Sequence, residues 1–305
     1  MLLCCASSLL LTGRRYLTRL VVPVERDLSF HECRGANLLF TPFPELNALL
    51  RDLNETAREI LQDTYVGGYL QGSFALGSGD AQSDADFIIV TTETPSGQIE
   101  ADLRRLHAAI PTRPGFWSDN IEGSYADADS LRGVGGLGKE WLFVDRAHRD
   151  MTWDEHCNNL HTRWILRNHG IVLGGPPTRY LIDPISEKAM REAARQALPG
   201  MLEGIREWAD MNHTWTQKYI VQTYSRVLYT MMTGKVASKA AAIQWARSVL
   251  DSVWLPLLTQ VAEDRATPWK PVDPPLPGNM QRAYEYAAYV EKFAANQLQP
   301  RKDQD

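Results

Sequence analysis

The chain has 305 residues, 44% of them apolar and 23% charged, which is enough hydrophobic material for ordinary cores at about twice the usual domain length. No apolar run approaches a membrane-spanning helix, so no membrane partner is expected. The net charge is −5, and beyond the first 24 residues 29 basic side chains face 37 acidic ones for a net of −8, which argues against a nucleic-acid partner and a template-directed polymerase.

Residues 1–24 hold Arg14, Arg15 and Arg19 and no acid, among Leu, Ser and Cys, which is the composition of an organelle transit peptide. The preferred expectation for 1–40 is nevertheless a mis-assigned start or an unstructured extension, with nothing catalytic in it. Cys4, Cys5, Cys33 and Cys157 show no paired spacing, so a reducing, cytoplasmic location is expected, with organelle targeting through 1–24 as the alternative. His156 and His161 stand five apart, off the spacing that lets two ligands share a helix face, so no structural zinc is expected. No nucleophile-elbow sequence points to a serine hydrolase.

In chain order, Leu46, Leu49, Leu50, Leu53, Ala57, Ile60 and Leu61 recur at helical spacing and predict a helix within 44–62. A strand is expected over 65–71, then a Gly-Ser turn with a short helix, a strand over 86–92, a helix over 99–110, and strands over 121–125 and near 141–144. A helix over 153–168 is expected to end at His169-Gly170 on a left-handed glycine cap. Gly174-Gly175-Pro176-Pro177 and Asp183-Pro184 punctuate the chain, and strand signals stop beyond them. Periodic segments at 201–211, 218–233, 238–263 and 280–298 read as a helical bundle, with the proline-rich stretch 268–277 a loop at the rim of a cleft. The expected fold class is α+β: a mixed sheet with helices over 41–186 and a helical bundle over 187–299, with the functional site between them.

The run Gly72-Ser73-Phe74-Ala75-Leu76-Gly77, followed by Ser83-Asp84-Ala85-Asp86-Phe87-Ile88-Ile89-Val90, carries the chemistry. Alternation along a strand points Asp84 and Asp86 to one face, and the Gly-Ser turn offers backbone N–H groups to phosphate. Two such carboxylates beside such a turn make a magnesium–nucleotide site. A D-x-D pair is otherwise a solvated strand end, but this one leads directly into an apolar run. An unpaired carboxylate there is costly unless it binds something.

The pattern G-S-x9-S-D-x-D is similar to the signature of the DNA polymerase β-like nucleotidyltransferase superfamily. Ile121-Glu122-Gly123-Ser124-Tyr125, Arg163-Trp164-Ile165-Leu166-Arg167-Asn168-His169-Gly170-Ile171, Leu173-Gly174-Gly175-Pro176, and Tyr224-Ser225-Arg226 with Thr233-Gly234-Lys235-Val236-Ala237-Ser238-Lys239 resemble its streptomycin/spectinomycin-type aminoglycoside adenylyltransferase branch. The likeness spans about residues 41–298. It implies a polymerase β-like nucleotidyltransferase domain followed by the helical domain, and magnesium-dependent transfer of AMP from ATP to a hydroxyl of an aminoglycoside-like small molecule. Asp84 and Asp86 would hold the metal, and Glu122 would ligate it or take the hydroxyl proton; otherwise Glu122 is a surface acid of the polar stretch 118–130.

Phosphate binding is expected from Ser73, Ser83 and the Gly72 backbone, since hydroxyls and N–H groups reach phosphate oxygens without bulk. Arg226 and Lys239, which as bare residues read as solvated helix cations, match the family's triphosphate contacts, with Lys235 the weaker alternative. Trp208 and Trp215 fall near the family's antibiotic-contacting region. The chain departs from the family at Asn212-His213-Thr214-Trp215-Thr216-Gln217, where acids would meet a cationic drug. The alternatives are a macromolecular acceptor or an idle nucleotide binder, and a monomer is expected.

Overall fold

The computed structural model describes residues 39–146, 148–264 and 273–297. All but the end of the extension expected over 1–40 lies outside the described residues, as does the first part of the stretch 268–277.

The first helix is α1 (Pro44–Leu61). Its opening proline has no N–H to leave unpaired, and Leu46, Leu50, Leu53, Ala57 and Leu61 are buried on one side of it. There follow β1 (Tyr65–Leu70), the short α2 (Gly72–Ala75), β2 (Ala85–Thr91), α3 (Gly97–Ala109), β3 (Ile121–Asp127), α4 (Ala128–Arg132), β4 (Trp141–Val144), β5 (Thr152–Asp154), α5 (Leu160–His169) and β6 (Ile171–Gly174). The strands form one mixed sheet in the order β5-β4-β3-β2-β1-β6. Only β2 and β3 pair in parallel, because α3 carries the chain back between them.

Alternation along the strands builds two cores. Phe87, Ile89 and Tyr125 pack with Leu50 of α1 and Leu103 of α3 on one face. Ile88, Val90, Ala126 and Phe143 pack with Leu131 of α4 and Leu166 of α5 on the other.

Several elements differ from expectation. The helix expected over 153–168 begins only at Leu160, because the Asn159 side chain accepts the Thr162 N–H and caps it there. The residues before it pair with β4 as strand β5. Gly170 follows that helix with φ −52°, so it is not a left-handed cap. Glycine is required there for space, since a Cβ would run into the Leu166 carbonyl oxygen. Strand β6, absent from the expected set, returns to pair antiparallel with β1.

Ser186 caps α6 (Glu187–Ala197), a helix not anticipated, by accepting the Ala189 N–H. Then come α7 (Met201–Arg206), α8 (Thr214–Thr233), α9 (Lys239–Val249), α10 (Leu255–Glu263) and α11 (Asn279–Gln297). The segment expected over 238–263 is thus two helices. Leu250 is extended, Asp251 caps a single 3-10 turn, and Pro256 lies in the first turn of α10, where its missing N–H costs nothing. Ile205, Val221, Tyr224, Leu228, Leu258 and Tyr286 are among the buried residues of the helical core.

A smaller cluster of Ile165, Met190 and Val236, with Ala75, Leu76 and Trp164 against it, joins this helical part to α2 and α5. Among the described residues no helix is long and apolar enough to cross a membrane.

Candidate functional site

The site forms where β2 begins. In the parallel register Asp86 lies directly beside Glu122, so the two carboxylates share one face of the sheet. That face is the one on which Ile88 and Val90 meet α5. The turn after β1 lies against the pair. Gly72 has φ +64°, and a Cβ on it would collide with the Asp86 carboxylate, so glycine answers both the backbone conformation and the space.

Burial pushes the Asp86 carboxyl up to about 8, with the charges of Glu122 and then Asp84 adding to it and those of Lys239 and His156 opposing. Glu122 and Asp84, the other two acids named from the sequence, therefore both act electrostatically on Asp86. They do not stand as a closed cage: among the described residues no three His, Cys, Asp or Glu side chains are grouped so as to hold a metal ion. A basic side chain sits on each outer acid. Arg146 donates to Asp84 Oδ1 at 2.8 Å, and His156 Nε2 lies 3.1 Å from Glu122 Oε1. Burial works against charging His156, but the hydrogen bond and charge of Glu122 outweigh it and raise its pKa.

The donor chemistry fits a hard divalent cation. The available groups are carboxylate oxygens, and the central one is held protonated by burial and like charge, a condition that a bound cation reverses.

The phosphate-binding expectations divide. Ser73 Oγ, in the first turn of α2, is buried without a hydrogen-bond partner, a condition a phosphate oxygen would relieve. Ser83 instead closes its own turn, donating to Asp80 Oδ1 at 2.9 Å and accepting the Asp80 N–H at 3.0 Å.

From the helical side, the Arg226 guanidinium donates to His161 Nε2 at 2.7 Å and to the Ala237 carbonyl at 3.3 Å. Burial, helped by Arg226, holds His161 near 3, so it is the neutral acceptor this bond needs. Burial also lowers the Arg226 pKa, opposed by Tyr219 and Asp86, which places this arginine within the field of the acids. Lys239 and Lys235 are both exposed; Lys239 opens α9 and its charge acts on Asp86, and Lys235 lies just past the end of α8.

Arg146, His156 and His161 escaped the sequence reading as site residues. His156 and His161 drew attention only as zinc ligands, and Arg146 carries no motif. Trp208 and Trp215 stack at 5.6 Å with Tyr219 edge-on to both, against the helical core.

A family model described as aminoglycoside adenylyltransferase, C-terminal domain, matches residues 180–272. A spectinomycin 9-adenylyltransferase of Campylobacter jejuni is 25% identical over 215 residues, covering 68% of this chain and 80% of that protein. An aminoglycoside (3'') (9) adenylyltransferase of Rhizobium radiobacter is 31% identical over 97 residues, 32% of this chain and 34% of its own length. The solved structure of spectinomycin adenyltransferase AAD(9) from Enterococcus faecialis with ATP and spectinomycin superposes with a TM-score of 0.56 at 16% identity, covering 79% of this chain and 96% of that one. At that identity the likeness is one of fold.

Proposed function

We propose that this chain, which is similar to aminoglycoside adenylyltransferases over its helical part and in fold, is a nucleotidyltransferase that transfers AMP from ATP to a hydroxyl of an aminocyclitol or aminoglycoside-like small molecule, with magnesium at Asp84 and Asp86. The acceptor oxygen attacks the α-phosphorus of ATP, an O–P bond forms as the α–β bridging bond breaks, and pyrophosphate leaves. Glu122 takes the hydroxyl proton. Asp84 and Asp86 would hold magnesium, which would supply charge neutralisation at the phosphates.

The chain's own groups do the rest. Asp86, fixed against Gly72, stands in register beside Glu122, so the carboxylate that would hold the metal and the proton acceptor are neighbours on the sheet. Ser73 and the Gly72 turn receive phosphate, and Arg226 and Lys239 bring positive charge from the helical side to the triphosphate. Catalysis then rests on positioning and charge compensation. The relatives' names carry spectinomycin and aminoglycosides, which supports an acceptor of this class. The stretch 212–217 contains no acid, so the acceptor is held with less charge pairing there.

The observation that carries this reading is the buried Asp86 carboxyl, pushed up to about 8 against Glu122 in direct register. The test is pyrophosphate release across aminocyclitols and aminoglycosides, with magnesium omitted as control. Asp86→Asn should lower the rate by about a thousandfold, the scale expected when a central electrostatic group is removed. An Asp86→Asn protein turning over at the wild-type rate overturns the assignment.

A further inference from the structure

Two arginines near the sheet differ in how they are held. Arg163 is fully buried and donates to the Gly133 and Ser130 carbonyls and to Asn158 Oδ1, the partner set of a structural arginine. Arg146 lies two residues past the end of β4, at the start of the connection to β5, and its side chain is 41% exposed. Its guanidinium meets Asp84 through one nitrogen and one oxygen, and no other guanidinium bond is found among the described residues. It does not make the two-point fork that arginine uses for a permanent grip on a carboxylate. A partly exposed, one-point ion pair is weak and exchanges readily. Its partner is the outer acid of the D-x-D pair, so the guanidinium stands where a cation bound to Asp84 would stand. Four N–H donors remain for a second anion.

We propose that Arg146 is a placeholder cation: in the free protein it neutralises Asp84, and when divalent cation and nucleotide enter it passes from Asp84 to a phosphate oxygen of the nucleotide. This inference rests on Asp84 being a metal ligand. It makes Arg146 both a competitor for the cation and a phosphate contact. Removing its charge therefore has opposite effects on the two ligands: cation binding to the free protein strengthens and nucleotide binding weakens. A purely structural arginine has no such effect.

The experiment uses the full chain and Mn2+ as probe, read as free Mn2+ by electron paramagnetic resonance without nucleotide, alongside the KM for ATP in pyrophosphate release. Arg146→Gln keeps a hydrogen-bond donor for Asp84 but no charge, and thermal melting checks that it folds. Expected are Mn2+ binding about fivefold tighter than wild type and a KM for ATP raised about tenfold, with Arg146→Lys near wild type in both. Mn2+ binding no tighter in Arg146→Gln, or an unchanged KM for ATP, overturns the proposal. A wild type without saturable Mn2+ binding overturns the reading of Asp84 and this inference with it. A wild type that binds Mn2+ alongside an Arg146→Gln protein that binds it no tighter overturns this inference alone.

Discussion

At the scale of single residues, the burial of Asp86 ties the stability of the fold to pH. Its carboxyl is raised from 3.8 to about 8, so between those values the folded protein keeps a proton that the unfolded chain has released. The stability this contributes is complete below about pH 4 and is lost as pH rises through 8. His107 and His161, both held near 3 chiefly by burial, have the opposite sign: they weaken the fold as pH falls from 6.5 towards 3. The comparison of wild type with Asp86→Asn isolates the first effect, because the asparagine does not titrate. In buffer free of divalent cations and nucleotide, the melting temperature of Asp86→Asn should fall less than that of wild type between pH 5 and 8. Parallel melting-temperature curves would show that Asp86 carries no raised pKa.

At the scale of elements, one side chain fastens α5 to the sheet's outer half. Arg163 reaches the Ser130 carbonyl in α4, the Gly133 carbonyl just after it, and Asn158 ahead of its own helix, with its guanidinium 5.9 Å from the Trp141 ring centre. Removing the guanidinium takes a charged donor from the Ser130 carbonyl and from Asn158 Oδ1, while the Gly133 carbonyl keeps the Gly136 N–H, and a buried acceptor that loses its donor costs more than the bond itself contributes. Arg163→Met should therefore lose about 3 kcal/mol of stability in urea denaturation with an unchanged slope. A loss within about 0.5 kcal/mol would mean that water replaces the guanidinium at these carbonyls. Because α5 carries His161, which accepts from Arg226, the same substitution should also weaken nucleotide binding.

At the scale of the whole molecule, sheet and bundle meet through few contacts. The apolar part is the small cluster around Ile165, Met190 and Val236. The polar part is Arg226 with His161, and Lys239 acting on Asp86. ATP bound between these groups would bridge the two halves and so raise the melting temperature through binding to the folded state alone. Arg226→Met should weaken ATP about tenfold and shrink that rise, read by differential scanning fluorimetry over an ATP series. A shift equal to that of wild type would remove Arg226 from the neighbourhood of the nucleotide.

What the sequence determined by itself is whatever spans a turn or a strand. The spacing of leucines set α1 and the alternation after Asp84 set β2, and the Gly-Ser turn followed by the two acids singled out the candidate site. Some local signals were present but outweighed: Asn159 stops a helix that periodicity would have extended, and Asp251 with Pro256 divides another. The tertiary structure alone decided which cation sits on which acid. Arg146 and Asp84 are 62 residues apart, and Arg226 and His161 are 65 apart. No local pattern encodes such pairs, because they exist only once β4 has taken its place beside β3 and the bundle has docked on α5. Burial belongs to the same level: the raised carboxyl of Asp86 and the unpartnered hydroxyl of Ser73 follow from the loss of water around them, which is a property of the packed molecule and not of a stretch of chain.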